Sequence, residues 1–300
     1  MLEDTGNTAT PKAEVEINVP LVRALLDAQH LHLADLSIRP AGTGWDNAMF
    51  RLGDAYALRL PRRALAADLI RHEQRWLPEL ANRLPLPVPA PVRVGVPGCG
   101  YPWHWSVVPW LNGSTADLDE PDPGQAEPLA AFLTALHIAA PPDAPTNKFR
   151  SVPLAEKAAG IETRMARLRP KTDLLTEPVT HAWEEALATP IDAALTWIHG
   201  DLHARNVLVQ NGEISGIVDW GDVTSGDPAT DLAAIWMLLP NPGSRQHAMR
   251  TYAQASEETW RRAKGWAVLF GVILLDTGLA DHPQHAAMGE RTLRQIAEGP

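Results

Sequence analysis

Residues 197–231 read W-I-H-G-D-L-H-A-R-N-V-L-V-Q-N-G-E-I-S-G-I-V-D-W-G-D-V-T-S-G-D-P-A-T-D, and the polar types and their spacing suit phosphate chemistry. Asn211 and Gly212, set between apolar runs, mark a two-residue hairpin turn. Counting outward from that turn places Gln210 opposite Glu213 and Asn206 opposite Ile217, with Asp219 two residues further along the same face. Diagonal neighbours of this kind lie about 7–8 Å apart. A hard cation with oxygen ligands at about 2.1 Å fits between a carboxylate and a carboxamide so placed. Asp201, five residues before Asn206 on the loop entering the hairpin, brings a second carboxylate to the same point. One group can then position an acceptor oxygen while the cation neutralises phosphate charge, the two needs of phosphoryl transfer. His199 and His203 are four apart, as in a zinc-binding helix, but the Gly-Asp-Leu between them disfavours a helix and supplies no glutamate base. His199 is expected to orient the loop through a hydrogen bond. The plain alternative is an acidic surface hairpin followed by a helix that Asp227 caps, Pro228 starts and Asp231 favours through its dipole.

A second pair is legible upstream. Glu73 falls four after Leu69 and three before Trp76, on an apolar stripe with Leu65. A carboxylate facing inward is costly unless paired. Arg59, on the neighbouring strand-like run Ala55–Leu60, is its candidate partner; the alternative is a Glu at the stripe's edge that reaches water. No G-x-x-x-x-G-K-[ST] and no Rossmann fingerprint occurs, so those two nucleotide sites are excluded.

H-G-D-L-H-A-R-N, with D-W-G starting thirteen residues after its asparagine, resembles the catalytic loop and metal-binding motif of protein-kinase-like small-molecule kinases. It is most similar to the aminoglycoside phosphotransferase family. Protein kinases carry H-R-D-x-x-x-x-N and D-F-G; here Gly200 stands second and Trp220 replaces Phe. The resemblance implies Asp201 as base on an acceptor hydroxyl, Asn206 and Asp219 as ligands of Mg²⁺, and Asp231 as a brace for the loop. It implies a bilobal fold with ATP or GTP as donor. The segment 41–47 resembles the nucleotide-covering loop, without its third glycine, and implies phosphate contacts at Gly42, Thr43, Gly44 and Asn47. Where the family usually has lysine, this chain has Arg59, which keeps the charge but is planar and forked. Trp103–Leu111 resembles the last strand and hinge, where backbone groups from Val108 to Leu111 would meet the purine, Pro109 lacking an N–H. The acceptor is implied to sit among acidic groups, with Asp222, Asp276, Asp281 and Glu290 as candidates and Trp236 and Trp266 as walls. An aminoglycoside-type antibiotic leads; the alternatives are a macrolide, a metabolic amino alcohol or sugar, or a catalytically silent nucleotide-binding protein, for which Arg59 is the support.

The elements that must position these residues form an α+β pattern. A helix starts at Asn18 as N-cap with Pro20 in its first turn. Strands are expected at Ala48–Leu52, Ala55–Leu60, Val92–Val96 and Trp103–Leu111, with one helix over Leu65–Leu77 that Pro78 stops. Beyond Asn112, helical spacing of three and four appears at Leu129, Phe132, Leu133 and Leu136, and further helices are expected near 154–168, 174–188, 229–239, 244–255, 257–279 and 285–297. The expected organisation is a disordered tail over 1–16, a nucleotide-binding lobe over 17–111 and a catalytic, substrate-binding helical lobe over 112–300. The net charge of −10 argues against nucleic acid as partner. Residues 1–111 hold eleven acidic and eleven basic side chains; residues 112–300 hold 25 and 15. That asymmetry suits either solubility or a cationic acceptor. The single cysteine, Cys99, excludes an intramolecular disulfide, and a reducing cytoplasmic setting is expected. No run of about 18 apolar residues and no leader are read, so no membrane partner is expected. A monomer is expected.

Overall fold

The computed structural model describes residues 12–44 and 46–299, without the Thr43 side chain. They divide into two units, one of residues 12–83 and 87–111, the other of 84–86 and 112–299.

In the first unit, α1 (Val19–Gln29) begins where the Asn18 side chain accepts from the Leu21 amide at 3.0 Å. Val22, Leu25 and Leu26, at helical spacing, are its buried face. The sheet contains β1 (Ile38–Thr43), β2 (Asn47–Leu52), β3 (Tyr56–Pro61), β4 (Arg93–Gly95) and β5 (Trp105–Pro109), in the order β1-β2-β3-β5-β4 and antiparallel throughout. Phe50, Leu58, Leu60, Trp105 and Val107 meet the α1 face in one core. Residues 1–11 of the expected tail lie outside the described residues. Residues 12–16 do not behave as a tail: Val15 packs on the core, the Glu14 amide donates to Arg62 O at 2.8 Å, and the Glu14 carboxylate accepts from the Ala64 amide.

Helix α2 (Ala64–Ala81) runs through Pro78 instead of stopping there. Proline costs a hydrogen bond, but Leu77 and Leu80 on either side of it are buried and hold the last turn in place. The buried stripe is Ala66, Ile70, Glu73, Trp76, Leu77 and Leu80, while Leu65 is exposed and Leu69 half-buried. Glu73 and Trp76 of the expected stripe do face inward; at its start Ala66 and Ile70 take the places expected of Leu65 and Leu69.

The second unit is mainly helical: α3 (Ala126–Leu136), α4 (Ala158–Leu168), α5 (Glu177–Ala188), α6 (Ala229–Leu232), α7 (Ala234–Leu238), α8 (Pro242–Thr251), α9 (Glu257–Asp281) and α10 (Pro283–Glu298). Its strands are β6 (Ser114–Thr115), β7 (Thr196–Ile198), β8 (Val207–Gln210), β9 (Glu213–Ile217) and β10 (Thr224–Gly226), arranged as β6-β8-β9 and β10-β7. By length and composition α9 could cross a bilayer, contrary to the expectation from the sequence, but 78% of its most apolar window is buried inside the protein. It lies so close to α10 that a Cβ on Gly289 would stand 2.5 Å from the Leu275 amide.

Candidate functional site

The hairpin forms with Gln210 opposite Glu213, but its register shifts between Leu208 and Val209. Ser215 is the extra residue, and its hydroxyl donates to Asn112 O at 2.7 Å. Val207 therefore pairs with Ile217, and Asn206 meets Val218, whose amide donates to Asn206 O at 2.9 Å. The bulge moves every pairing beyond it by one residue, so the expected match of Asn206 with Ile217 fails. Asp219 does not continue the strand. It is left-handed (φ 61°) and exposed, and it turns the chain into Trp220–Asp222. Asn206 ends a short 3₁₀ turn, so Asn206 and Asp219 sit on two turns rather than on one strand face.

The loop before the hairpin is held from below. Asp231, fully buried, accepts from the His199 amide at 2.6 Å and the Gly200 amide at 2.8 Å. His199 Nδ1 accepts from the Asp201 amide at 3.2 Å, and its Nε2 donates to Val218 O at 3.0 Å. The ring so oriented packs edge-on against Trp220 at 4.8 Å. Gly200 has φ +85°, and a Cβ there would meet Asp222 O at 2.9 Å, so both backbone conformation and space require glycine.

Asp201 emerges from this loop 5% exposed. Asn206 Nδ2 donates to Asp201 O at 2.8 Å and lies 3.5 Å from its Oδ2. His203 Nε2 is also 3.5 Å from Oδ2, and Arg150 Nη2 donates to Oδ1 at 2.8 Å. Burial alone would raise this carboxyl; the His203 and Arg150 charges outweigh it and hold Asp201 well below the usual carboxylate range. Asp222 is pushed the other way, by burial first and then by the Asp201 charge. Its Oδ1 accepts from Asn147 Nδ2 at 2.6 Å. The donor set fits a hard cation: Asn206 Nδ2 is committed to Asp201, which leaves its carboxamide oxygen, and Asp219 adds a carboxylate. Among the described residues no group of three or more His, Cys, Asp or Glu could hold a metal. Two protein oxygens without a cage suit magnesium, which keeps waters and phosphate oxygens as its other ligands.

Two of the remaining acidic candidates have partners of their own. Asp276 carries two arginines, Arg164 at 2.7 Å and Arg167 at 2.6 Å. Asp281 lies at the end of α9, 3.4 Å from His282. Trp236 is 2% exposed and packs on Trp260; Trp266 is 1% exposed. Both tryptophans are core residues, because α7 and α9 bury all round, so neither is a wall.

In the first unit, Arg59 Nη1 donates to Glu73 Oε1 at 2.6 Å with both side chains buried. Gln74, next on the helix, donates to Trp105 O and Ser106 Oγ, each at 3.0 Å, which pins α2 to β5. The β1–β2 turn carries Gly42 (φ +144°) and Gly44, whose amide donates to Asn47 O at 2.9 Å. Arg62 Nη1 donates to Gly44 O at 2.9 Å, and Arg63 pairs with Asp46 at 2.8 Å. The Asn47 side-chain oxygen is buried without a partner among the described residues. The Thr43 side chain lies outside the described residues. Trp110 donates its amide to Ala55 O at 2.8 Å, and Val108 pairs with Ala57 in phase with that bond. Antiparallel alternation then commits the Val108 backbone to β3, so Val108 is a ladder residue rather than a purine contact. Leu111, past the strand end, is half-buried.

Two residues of the Asp201 surroundings, Asn147 and Arg150, were not anticipated. They lie in a Pro-rich loop without periodicity. The usable signal was charge: Lys148, Arg150 and Lys157 are the first three basic (Lys or Arg) side chains after residue 111.

Comparison with known proteins adds the following. The model of the phosphotransferase enzyme family (APH) matches residues 37–266. Stress response kinase A of Salmonella paratyphi A is 29% identical over 208 residues, 64% of this chain and 58% of that one. The chain thus spans little more than half of this relative. The GDP complex of an aminoglycoside 2'-phosphotransferase-IIIa superposes with a TM-score of 0.67 at 18% identity, covering 95% of this chain and 100% of that one. The macrolide 2'-phosphotransferase MphH of Brachybacterium faecium gives 0.57 at 24%, covering 89% and 96%. At these identities the likeness shows the fold, an α+β architecture shared with kinase-like phosphotransferases.

Proposed function

The chain belongs to the phosphotransferase enzyme family, and from that premise we propose that it moves the γ-phosphate of ATP or GTP to a hydroxyl of a small molecule. The observation that carries this reading is the Asp201 carboxylate, held ionised beside Asn206 on a loop braced by Asp231. Asp201 orients the acceptor hydroxyl and takes its proton. Because the transition state is loose, positioning matters more than basicity, and a carboxylate of low pKa is adequate. Its Oδ2, with contacts of 3.5 Å, is the oxygen open to that hydroxyl. Asn206 and Asp219 would hold Mg²⁺, which neutralises phosphate charge when bound. Arg59, anchored by Glu73, meets the nucleotide phosphates, with Gly42, Gly44 and Asn47 in the covering turn and Leu111 at the hinge. His199 positions the loop.

Aminoglycoside-type antibiotics are the first acceptors to test, supported by the family. Macrolides, amino alcohols and sugars follow. The test is ADP release over that panel for wild type and Asp201→Asn. Acceptor-stimulated release in wild type, lowered about 10²–10⁴-fold in the variant with Mg²⁺-dependent nucleotide binding retained, is the expected result. Equal turnover by both proteins removes Asp201 as the base. Nucleotide binding without stimulation by any acceptor favours a silent nucleotide-binding protein.

A further inference from the structure

Arg150 stands where an acceptor's immediate surroundings must lie. It is 3% exposed, its Nη2 donates to Asp201 Oδ1 at 2.8 Å, and its guanidinium lies 4.9 Å from the Phe270 ring. Its Nε is buried with no hydrogen-bond partner among the described residues. Buried N–H groups are as a rule satisfied, so this donor remains available to an accepting oxygen. Nε and Nη2 donate from a rigid planar fork, so an oxygen accepting from Nε lies beside the carboxylate that Nη2 already holds.

The loop carrying Arg150 is built to hold it there. Asn147 Oδ1 accepts from the Phe149 amide at 2.8 Å and the Arg150 amide at 3.3 Å, while its Nδ2 is tied to Asp222. Ser151 and Thr224 share a hydroxyl contact at 2.7 Å, and the Ser225 amide donates to Pro145 O at 3.1 Å. The surroundings of the loop are cationic within an acidic unit: Lys148 on it and Lys157 on the 3₁₀ turn that follows lie 4.9 and 5.1 Å from the Phe149 ring. Meanwhile the acid expected to attract a cation, Asp276, is matched by Arg164 and Arg167.

We propose that Arg150 determines acceptor specificity: it receives an oxyanion, carboxylate or phosphate, carried next to the hydroxyl that Asp201 takes, and it repels an ammonium at that place. The proposal rests on the phosphotransfer reading and narrows its acceptor to hydroxy acids or phosphorylated alcohols. The shared chemistry is a hydroxyl adjacent to an oxyanion.

The test measures binding to the full chain with Mg²⁺ and ADP, for wild type, Arg150→Lys and Arg150→Met. The probes are D-glycerate (carboxylate arm), glycerol 3-phosphate (phosphate arm), glycerol and kanamycin. At least one oxyanion probe is expected to bind wild type more tightly than glycerol and to lose about tenfold or more in Arg150→Met, the size of one charge-assisted hydrogen bond. Which arm binds identifies the oxyanion. Kanamycin is expected to gain affinity in Arg150→Met and not in Arg150→Lys, which keeps the charge without the fork. Thermal midpoints check folding, and Arg150→Lys carries the test if the methionine variant does not fold: the oxyanion probe then weakens while kanamycin stays excluded. The proposal is overturned if neither oxyanion probe outbinds glycerol in wild type, if affinity for both survives the substitutions, or if kanamycin is indifferent to Met. Failure of the phosphotransfer reading is distinguishable, because it removes Mg²⁺-dependent ADP binding from wild type itself.

Discussion

Glu73→Ala is the sharpest test of the first unit. The substitution removes the carboxylate that Arg59 donates to at 2.6 Å, in a place where the two side chains are 1% and 6% exposed. The guanidinium is left in low dielectric with its principal counter-charge gone, and breaking one side of such a pair costs about 3–5 kcal/mol. That is a large part of the roughly 5–15 kcal/mol available to a folded domain. Glu73→Gln keeps an acceptor oxygen but not the charge and should cost less, about 1.5–3 kcal/mol. Replacing both partners by apolar groups, Arg59→Met with Glu73→Leu, removes the buried charges together and should recover most of the stability. Nucleotide affinity should not return with it, since Arg59 is then absent. Urea unfolding gives the stabilities, and titration with Mg·ATP gives the affinities. Additive losses in the double variant, or a cost below about 1 kcal/mol for Glu73→Ala, would refute the account of the pair. Recovered stability with full nucleotide affinity would refute the role given to Arg59.

Two further predictions concern the helical unit. Gly200→Ala forces a Cβ to 2.9 Å from Asp222 O at φ +85°; it should cost about 1–3 kcal/mol in urea unfolding and lower turnover more than nucleotide affinity. His285 is held neutral, with its pKa lowered to about 4 from 6.5 by burial and then by Arg205, whose Nη1 lies 3.0 Å from its Nε2. The unfolded chain takes up this proton below pH 6.5 and the folded chain only near 4, so the stability it contributes is complete above 6.5 and falls as pH drops through that window. His285→Gln should lose less stability than wild type between pH 6.5 and 4, measured as the difference between the two unfolding curves; parallel curves would show that His285 titrates normally.

What the sequence made legible follows a physical pattern. The H-G-D-L-H-A-R-N loop and the D-W-G turn could be read because their chemistry lies within a few residues of chain. Glu73 could be read because an inward carboxylate violates its helix's periodicity, which signals a partner even where the start of the stripe is assigned one residue early. The Asn211–Gly212 turn fixed the hairpin's start but not its register, because a bulge such as that at Ser215 answers to a tertiary contact, here with Asn112 O. Pro78 failed as a stop signal for the same reason: burial of Leu77 and Leu80 outweighs one lost hydrogen bond. Arg150 and Asn147 were illegible because they act across about fifty to seventy-five residues of chain, on Asp201 and Asp222, and long-range pairing of this kind leaves no local period.

The charge asymmetry also changes meaning once partners are counted. Residues 112–300 carry the whole −10, and an acidic lobe alone reads as a basin for a polycation. Yet several of the buried or partly buried acids are paired with arginines: Asp227 and Asp192 with Arg262 at 2.7 and 2.8 Å, Asp276 with Arg164 and Arg167, and Asp201 with Arg150. A buried pair presents little field to a ligand, and exposed carboxylates are screened beyond about 8 Å at physiological salt. Net charge therefore governs solubility and long-range approach, whereas acceptor choice falls to the few groups within hydrogen-bond reach of Asp201. Those are Arg150, His203 and Asn206, and none of them is a carboxylate. On the proposal made for Arg150 the centre is complementary to oxygen, so the acidity of the unit and the specificity of its centre point in opposite directions.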